Sequence, residues 1–251
     1  MEREHVLVAG GGSGGHVFPA LAVAEQMDER GWRVSWLGRV EGMERELVER
    51  RGLRYYGLPA KAVVGRSIPA RVMAMTSLGV SALRARRLIR RLEVGVVLGT
   101  GGYVSAPGVM GAVLARRPIV LLEPNAEPGV ANRGLSRWAT VAAVASSDTA
   151  AGLHCPVEET GVPVRGEFVS DHRPASSTGP LRLLVLGGSQ GARQLNELLP
   201  PALQQLAAVH PGIEVTHQVG SALMDEARRA YEKHPVAGLQ LSIVPFVEDV
   251  H

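Results

Sequence analysis

Short apolar runs alternate along this chain with longer segments in which apolar residues recur every three to four positions. The first pattern suits buried strands and the second amphipathic helices, so the chain reads as successive βα units on a parallel sheet. Strands are expected at residues 5–9, 33–37, 94–98, 119–122 and 140–145, then at 181–186, 214–219 and 239–244. Helices fall between them, for example over 19–30 and 44–51. The fold class is α/β.

Two segments test this reading against a membrane alternative. Residues 94–115 are uncharged over a spanning length but hold six glycines and Pro107, which would leave backbone groups unmet in lipid. They read as strand, glycine turn and helix. Residues 69–92 combine Met73, Met75, Leu78, Val80 and Leu83 with Arg84, Arg86, Arg87, Arg90 and Arg91. That mix can lie on an anionic bilayer surface. It also fits a core-packed helix with a basic last turn, where cations are favoured in any case.

Residues 162–180 hold three prolines, two glycines and Ser176-Ser177-Thr178 without an apolar period, and read as an interdomain linker. On each side of it stands the same layout of strand, glycine turn with serine, then helix, at residues 6–15 and 183–191. The economical architecture is two Rossmann-like domains, residues 1–163 and 164–251, with parallel sheets facing a cleft. The second is short for a doubly wound domain, so a truncated chain is expected.

Composition narrows the function. The 251 residues are 45% hydrophobic and 20% charged, as in a soluble globular protein. The single cysteine, Cys155, excludes an intrachain disulfide and fits a reducing compartment. The start of the chain passes directly into an apolar strand without a signal-peptide pattern, so a cytoplasmic location is expected. The net charge of +3 is uneven: residues 1–165 carry 21 basic against 15 acidic side chains, and residues 166–251 six against nine. The basic half calls for an anionic partner. Only ten aromatic residues are present, none interleaved with a basic run, so phosphate esters or anionic lipid fit better than nucleic acid.

Gly10, Gly12 and Gly15 satisfy G-x-G-x-x-G, a turn that lets a phosphate approach a helix N-terminus closely. A dinucleotide site would place an acid at the end of the second strand. Gly38-Arg39 stands there, which disfavours NAD and leaves NADP open. No lysine follows the glycines, so a P-loop is excluded. Both turns also match G-x-S-x-G, but Ser13 lies on the first strand and Ser189 has only a short tail to supply a triad. The serines read as donors to phosphate. His16 follows the first turn, where the helix expected from Pro19 disfavours imidazolium and a neutral, proton-accepting ring fits. Two further strand ends, at residues 99–107 and 123–129, converge on the same region, with Glu123 and Asn125 where open α/β sheets hold ligands. No Asp-x-Asp and no His/Cys cluster is present, so no metal is indicated and the anion must meet amides, helix dipoles and arginine.

Six motifs in order carry a resemblance: GGGSGGHVFPALAVA (10–24), GTGGYVSAP (99–107), EPNAEPGVANR (123–133), TGVPVR (160–165), GGSQGARQLN (187–196) and HQVG (217–220). The chain resembles the MurG glycosyltransferases of bacterial peptidoglycan synthesis over about the first two thirds of the family's length. The resemblance implies a GT-B fold and transfer of N-acetylglucosamine from UDP-GlcNAc to lipid I, the undecaprenyl-diphosphate-linked muramoyl-pentapeptide, with inversion and without cofactor or metal; the alternatives are another GT-B lipid glycosyltransferase, a UDP-sugar epimerase, or an inactive truncated acceptor-half module. It implies His16 as base for the acceptor 4-hydroxyl, and Ser13, Gly14, Gly15, Asn125, Arg165, Ser189 and Val247 on the UDP-GlcNAc side. Tyr103 and Glu123 are candidates on the acceptor side. The basic, apolar 69–92 region resembles the surface that meets the membrane, which implies a peripheral enzyme on the cytoplasmic face of the bacterial membrane. The chain departs from the family pattern at Ser13, where threonine is usual, at Leu122 and Pro124, where histidine and glutamine are, and at Val162, where asparagine is.

Overall fold

The computed structural model describes residues 4–42, 44–59, 68–164, 166, 181–188, 191–210, 212–236 and 238–247, with backbone alone for 68–74. The chain divides into two compact units, Met1–Ser170 and Asp171–His251.

The first unit alternates β1 (His5–Ala9), α1 (Gly14–Glu29), β2 (Arg33–Arg39), α2 (Glu44–Glu49), β3 (Arg54–Leu58), α3 (Ile68–Arg91), β4 (Val96–Gly99), α4 (Gly102–Ala115), β5 (Ile119–Glu123), α5 (Val130–Leu135), β6 (Val141–Val144) and β7 (Val157–Glu159). The strands form one parallel sheet in the order β3-β2-β1-β4-β5-β6-β7. Its strands divide the core between two faces. Leu7 and Ala9 pack on one side with Ala85, Ile89, Val109 and Ala112 of α3 and α4. Val6 and Val8 pack on the other with Val17, Leu21 and Ala24 of α1 and with Trp36 and Val48. Helix α4 sits close over β1 because Gly108 has no side chain: a Cβ there would strike that of Ala9 and lie 3.2 Å from Leu37.

The second unit contains β8 (Arg182–Leu186), α6 (Arg193–Val209), β9 (Glu214–Gln218), α7 (Met224–Lys233) and β10 (Gln240–Val244), with a parallel sheet in the order β10-β9-β8. Its core gathers Leu203, Ile213, Val215 and Tyr231. Both units are Rossmann-like, as the strand and helix periods predict.

Two features differ from expectation. Strands β3 and β7 have no counterpart among the predicted ones. Both lie at sheet edges, and Arg-Tyr-Tyr-Gly-Leu and Val-Glu-Glu carry no continuous apolar run because an edge strand is half exposed. Helix α1 begins at Gly14, not near Pro19, and Pro19 is buried inside it. The carbonyl that Pro19 cannot bond belongs to Gly15, which is exposed, so the missing bond is inexpensive. Residues 94–115 form the expected strand, glycine turn and helix, and no helix among the described residues is long and apolar enough to cross a membrane.

One buried polar group makes the first unit sensitive to acid. His5 Nδ1 donates to the Leu92 carbonyl at 2.8 Å, and in the neutral ring Nε2, 2.9 Å from Ser35 Oγ, accepts from that hydroxyl. Burial lowers its pKa below the usual histidine value, and the Arg33 and Arg54 charges push the same way against the Leu92 bond. The unfolded chain takes up a proton below about pH 6.5 that the native state refuses, so stability is full above that pH and falls as pH drops. Thermal melts at pH 7.5 and 5.5 should show a loss that shrinks in His5→Gln. A loss of the same size in that variant would refute the assignment.

Candidate active site

Strand order reverses between β1 and β4, and ligands of open α/β sheets bind outside the carboxyl ends of strands at such a point. Ala9, the last residue of β1, pairs with Leu37 on one side and Gly99 on the other. The turns at residues 10–13 and 100–101 therefore leave the sheet side by side. Gly12 (φ +94°) and Gly101 (φ +85°) hold left-handed backbone that other residues rarely adopt.

Ser13 stands at the N-cap of α1 in extended conformation without a side-chain cap bond, and its carbonyl accepts from His16 N and Val17 N, both at 3.1 Å. Gly14 and Gly15 follow as the first helical residues, whose amides have no carbonyl partner within a helix. His16 therefore lies in the first turn of α1, not ahead of it. Its ring lies against the second turn: a Cβ at Gly101 would stand 3.1 Å from Cε1 and 3.2 Å from Nδ1, and one at Gly102 3.5 Å from Cδ2. His16 Nδ1 is buried without a hydrogen-bond partner.

Asn132 of α5 shares that space. Its Nδ2 is 3.2 Å from the same Gly101 position and donates to Leu122 O (3.0 Å) and Glu123 Oε2 (3.1 Å), while its buried Oδ1 has no partner. Glu123, expected on the acceptor side, is fully buried. Its Oε1 accepts from Asn125 N at 3.1 Å and Asn125 Nδ2 at 2.8 Å, and its Oε2 accepts from Gly129 N at 2.8 Å as well as Asn132. With both oxygens occupied, Glu123 shapes the loop that presents the exposed Asn125. Thr149 Oγ1 fixes that loop further by donating to Asn125 O.

Glu44 is the residue that sequence reasoning missed. It opens α2, yet it is fully buried. Its carboxylate accepts from Gly12 N (3.3 Å), Arg39 N (2.9 Å) and Tyr55 OH (3.2 Å). Gly11, Gly38 and Gly42 wall the space, since a Cβ at any of them would strike the carboxylate. The Gly12 amide, expected to face phosphate, is thus committed to Glu44, and the turn offers Ser13, Gly14 and Gly15 instead. Burial raises the Tyr55 phenol far above its usual range, with the Glu44 charge adding to it. An acid in the first turn of a helix after a strand ordinarily faces solvent, so the sequence carried no mark of this one. Tyr103, in the first turn of α4, accepts from Arg39 Nη1 at 2.9 Å.

In the second unit the glycine turn after β8 is pinned by the last residue of β9. Gln218 O accepts from Gly187 N at 3.0 Å, and Gln218 Nε2 donates to Gly188 O at 2.9 Å and Pro245 O at 3.0 Å. Gln218 so joins the turn to the segment leading to half-buried Val247. Asn196 Nδ2 donates to Val219 O at 3.1 Å, drawing α6 to the same end. His217 is a core residue, 2.9 Å from Tyr231 OH. Arg165 and Ser189 lie outside the described residues.

The sequence and fold were compared with known proteins. Residues 6–144 match the glycosyltransferase family 28 N-terminal domain and residues 182–251 its C-terminal domain. The chain is 41% identical over 247 residues to the UDP-N-acetylglucosamine–N-acetylmuramyl-(pentapeptide) pyrophosphoryl-undecaprenol N-acetylglucosamine transferase of Acidovorax sp. (strain JS42), covering 97% of this chain and 60% of that protein. It is 42% identical over 248 residues to the enzyme so named from Pseudomonas fluorescens (strain Pf0-1), covering 98% and 68%. The crystal structure of Acinetobacter baumannii MurG superposes with a TM-score of 0.69 at 34% identity, over 98% of this chain and 67% of that one. UDP-GlcNAc 2-epimerase from Neisseria meningitidis, at 12% identity and a TM-score of 0.64 over 98% and 73%, shares the fold alone. The chain spans about 60% to 68% of the length of these curated relatives. Matched along nearly its whole length, the chain belongs to the MurG family within the family 28 glycosyltransferases.

Proposed function

We propose that the chain serves an inverting, metal-independent transfer of N-acetylglucosamine from UDP-GlcNAc to the muramoyl 4-hydroxyl of lipid I, giving lipid II. The observation that carries this reading is the His16 ring seated against bare glycines at the switch point of the first sheet, with α1 amides beside it. Relatives about 40% identical are named for this transfer. His16 takes the proton of the acceptor hydroxyl as its oxygen bonds to the sugar C1, and the C1–O bond breaks with its electron pair leaving on UDP. The amides of the second unit's glycine turn, Ser189 and Arg165 meet the departing diphosphate, with Asn125 and Val247 on the nucleotide sugar. Residues 1–163 are the acceptor domain and 164–251 carry donor contacts.

The same reading places α3 on the membrane. Met75, Val80 and Leu83 are exposed apolar residues, and Arg84, Arg87, Arg90 and Arg91 are exposed cations on the same helix, while Ala82, Ala85, Leu88 and Ile89 are buried. Such a surface suits peripheral binding to the anionic cytoplasmic face of the bacterial membrane.

One experiment tests both. The chain is mixed with UDP-GlcNAc and anionic vesicles carrying lipid I, with NADPH binding as the control. Expected are sugar transfer that depends on the acceptor, no NADPH binding, and release from the vesicles as salt shortens the screening length. UDP-GlcNAc consumed without acceptor would point to epimerase chemistry and overturn the transferase reading. Vesicle binding that persists unchanged in high salt would overturn the electrostatic part.

A further inference from the structure

The acceptor's diphosphate has no cation assigned to it in the proposed acceptor domain, and we infer that Arg39, held by Tyr103 beside the first glycine turn, is the cation that meets it. The inference rests on the transferase reading and deepens it by assigning a specificity residue.

Arg39 is tied to the turn through its backbone. The single Glu44 carboxylate accepts from both Arg39 N and Gly12 N, so the end of β2 and the turn are pinned to one buried group. Its side chain is tied to the second turn. Nη1 donates to Tyr103 Oη at 2.9 Å, and Tyr103 follows Gly102, whose Cβ position lies 3.5 Å from both Gly11 O and His16 Cδ2. Guanidinium, both turns and His16 therefore occupy one end of the first unit.

The guanidinium is also free to bind. It has five N–H donors, and the phenol takes one without neutralising its charge. Among the described residues Arg45, Arg50 and Arg51 pair with glutamates, whereas Arg39 pairs with no carboxylate. Glu44, whose carboxylate accepts from the Arg39 amide, is fully buried and is spent on three protein donors.

The ligand's charge calls for a cation. A diphosphate diester carries about two negative charges, and each of the helix ends at α1 and α4 supplies roughly half a positive one. Helix ends alone leave the ligand about one charge short, and one guanidinium closes the difference with paired N–H groups matched to phosphate oxygens.

The probe is geranyl diphosphate, a soluble prenyl diphosphate, titrated into the full chain and into Arg39→Ala, Arg39→Lys and Tyr103→Phe, with UDP as competitor. Arg39→Ala should weaken prenyl diphosphate binding about tenfold at unchanged thermal midpoint. Arg39→Lys should recover part, since it keeps the charge and loses the fork, and Tyr103→Phe should fall between. UDP should not displace the prenyl ligand, which separates a lipid diphosphate from a nucleotide one. In turnover, the acceptor KM should rise with kcat and UDP-GlcNAc affinity held. Equal binding by wild type and Arg39→Ala, no binding by wild type, or displacement by UDP would each overturn the inference. Because the titration needs no turnover, an Arg39-dependent site in a chain that transfers no sugar would sink the transferase reading and leave this inference standing.

Discussion

His16→Ala is expected to lower N-acetylglucosamine transfer by about 10²- to 10⁴-fold while UDP-GlcNAc affinity stays at the wild-type value. The separation follows from where the residue stands. His16 lies in the first turn of α1, in the first unit, with its ring against that unit's second glycine turn, whereas the diphosphate contacts proposed for the glycine turn after β8 are in the second unit. Removing the imidazole deletes a proton acceptor and leaves a small hole at a half-buried position, so the fold should hold. Isothermal titration with UDP-GlcNAc beside an initial-rate assay on lipid I gives both numbers. Wild-type turnover in the variant would end the role of His16 as base.

The second large effect concerns stability. Glu44→Ala strands two donors, Gly12 N and Arg39 N, in a space that Gly11, Gly38 and Gly42 keep open for a carboxylate, while Tyr55 OH keeps the Arg39 carbonyl as acceptor at 2.5 Å. Each unsatisfied buried group costs about 1–3 kcal/mol. The sum is reduced because a buried charge is removed with them, so about 2–4 kcal/mol is expected, a large share of a domain's total stability. Glu44→Gln keeps the shape but must turn an amide toward one donor, and should lose about 1–3 kcal/mol. It should also bring the Tyr55 phenol titration down, since the neighbouring charge is gone. Urea unfolding of the three proteins decides this. A Glu44→Ala midpoint within error of wild type would show that the carboxylate anchors nothing.

The glycine turns were legible in the sequence because their chemistry is local. A strand followed by closely spaced glycines has few uses other than a tight turn under a helix end, and the structure delivers that turn twice, after β1 and after β8. The edge strands β3 and β7 were not legible, because half-exposed strands dilute the apolar run that marks a strand. Pro19 misled the placement of α1, since proline favours a first helical turn but is tolerated further in where the unbonded carbonyl lies at an exposed residue.

Sequence by itself determined the α/β class, the two Rossmann-like units and the family, all of which follow from periodicity and from motifs continuous along the chain. It also marked His16 as a candidate, because the residue adjoins its own glycine turn. Only the tertiary structure decided what joins distant segments. Asn132 and His16 both line Gly101, and Glu123 turns inward to hold the 123–129 loop. Glu44 is buried under the first turn, and Arg39 reaches Tyr103 across 64 positions. Each of these depends on which strands lie side by side at the switch point, and strand order is fixed by packing on both faces of the sheet, which no local pattern of residues encodes.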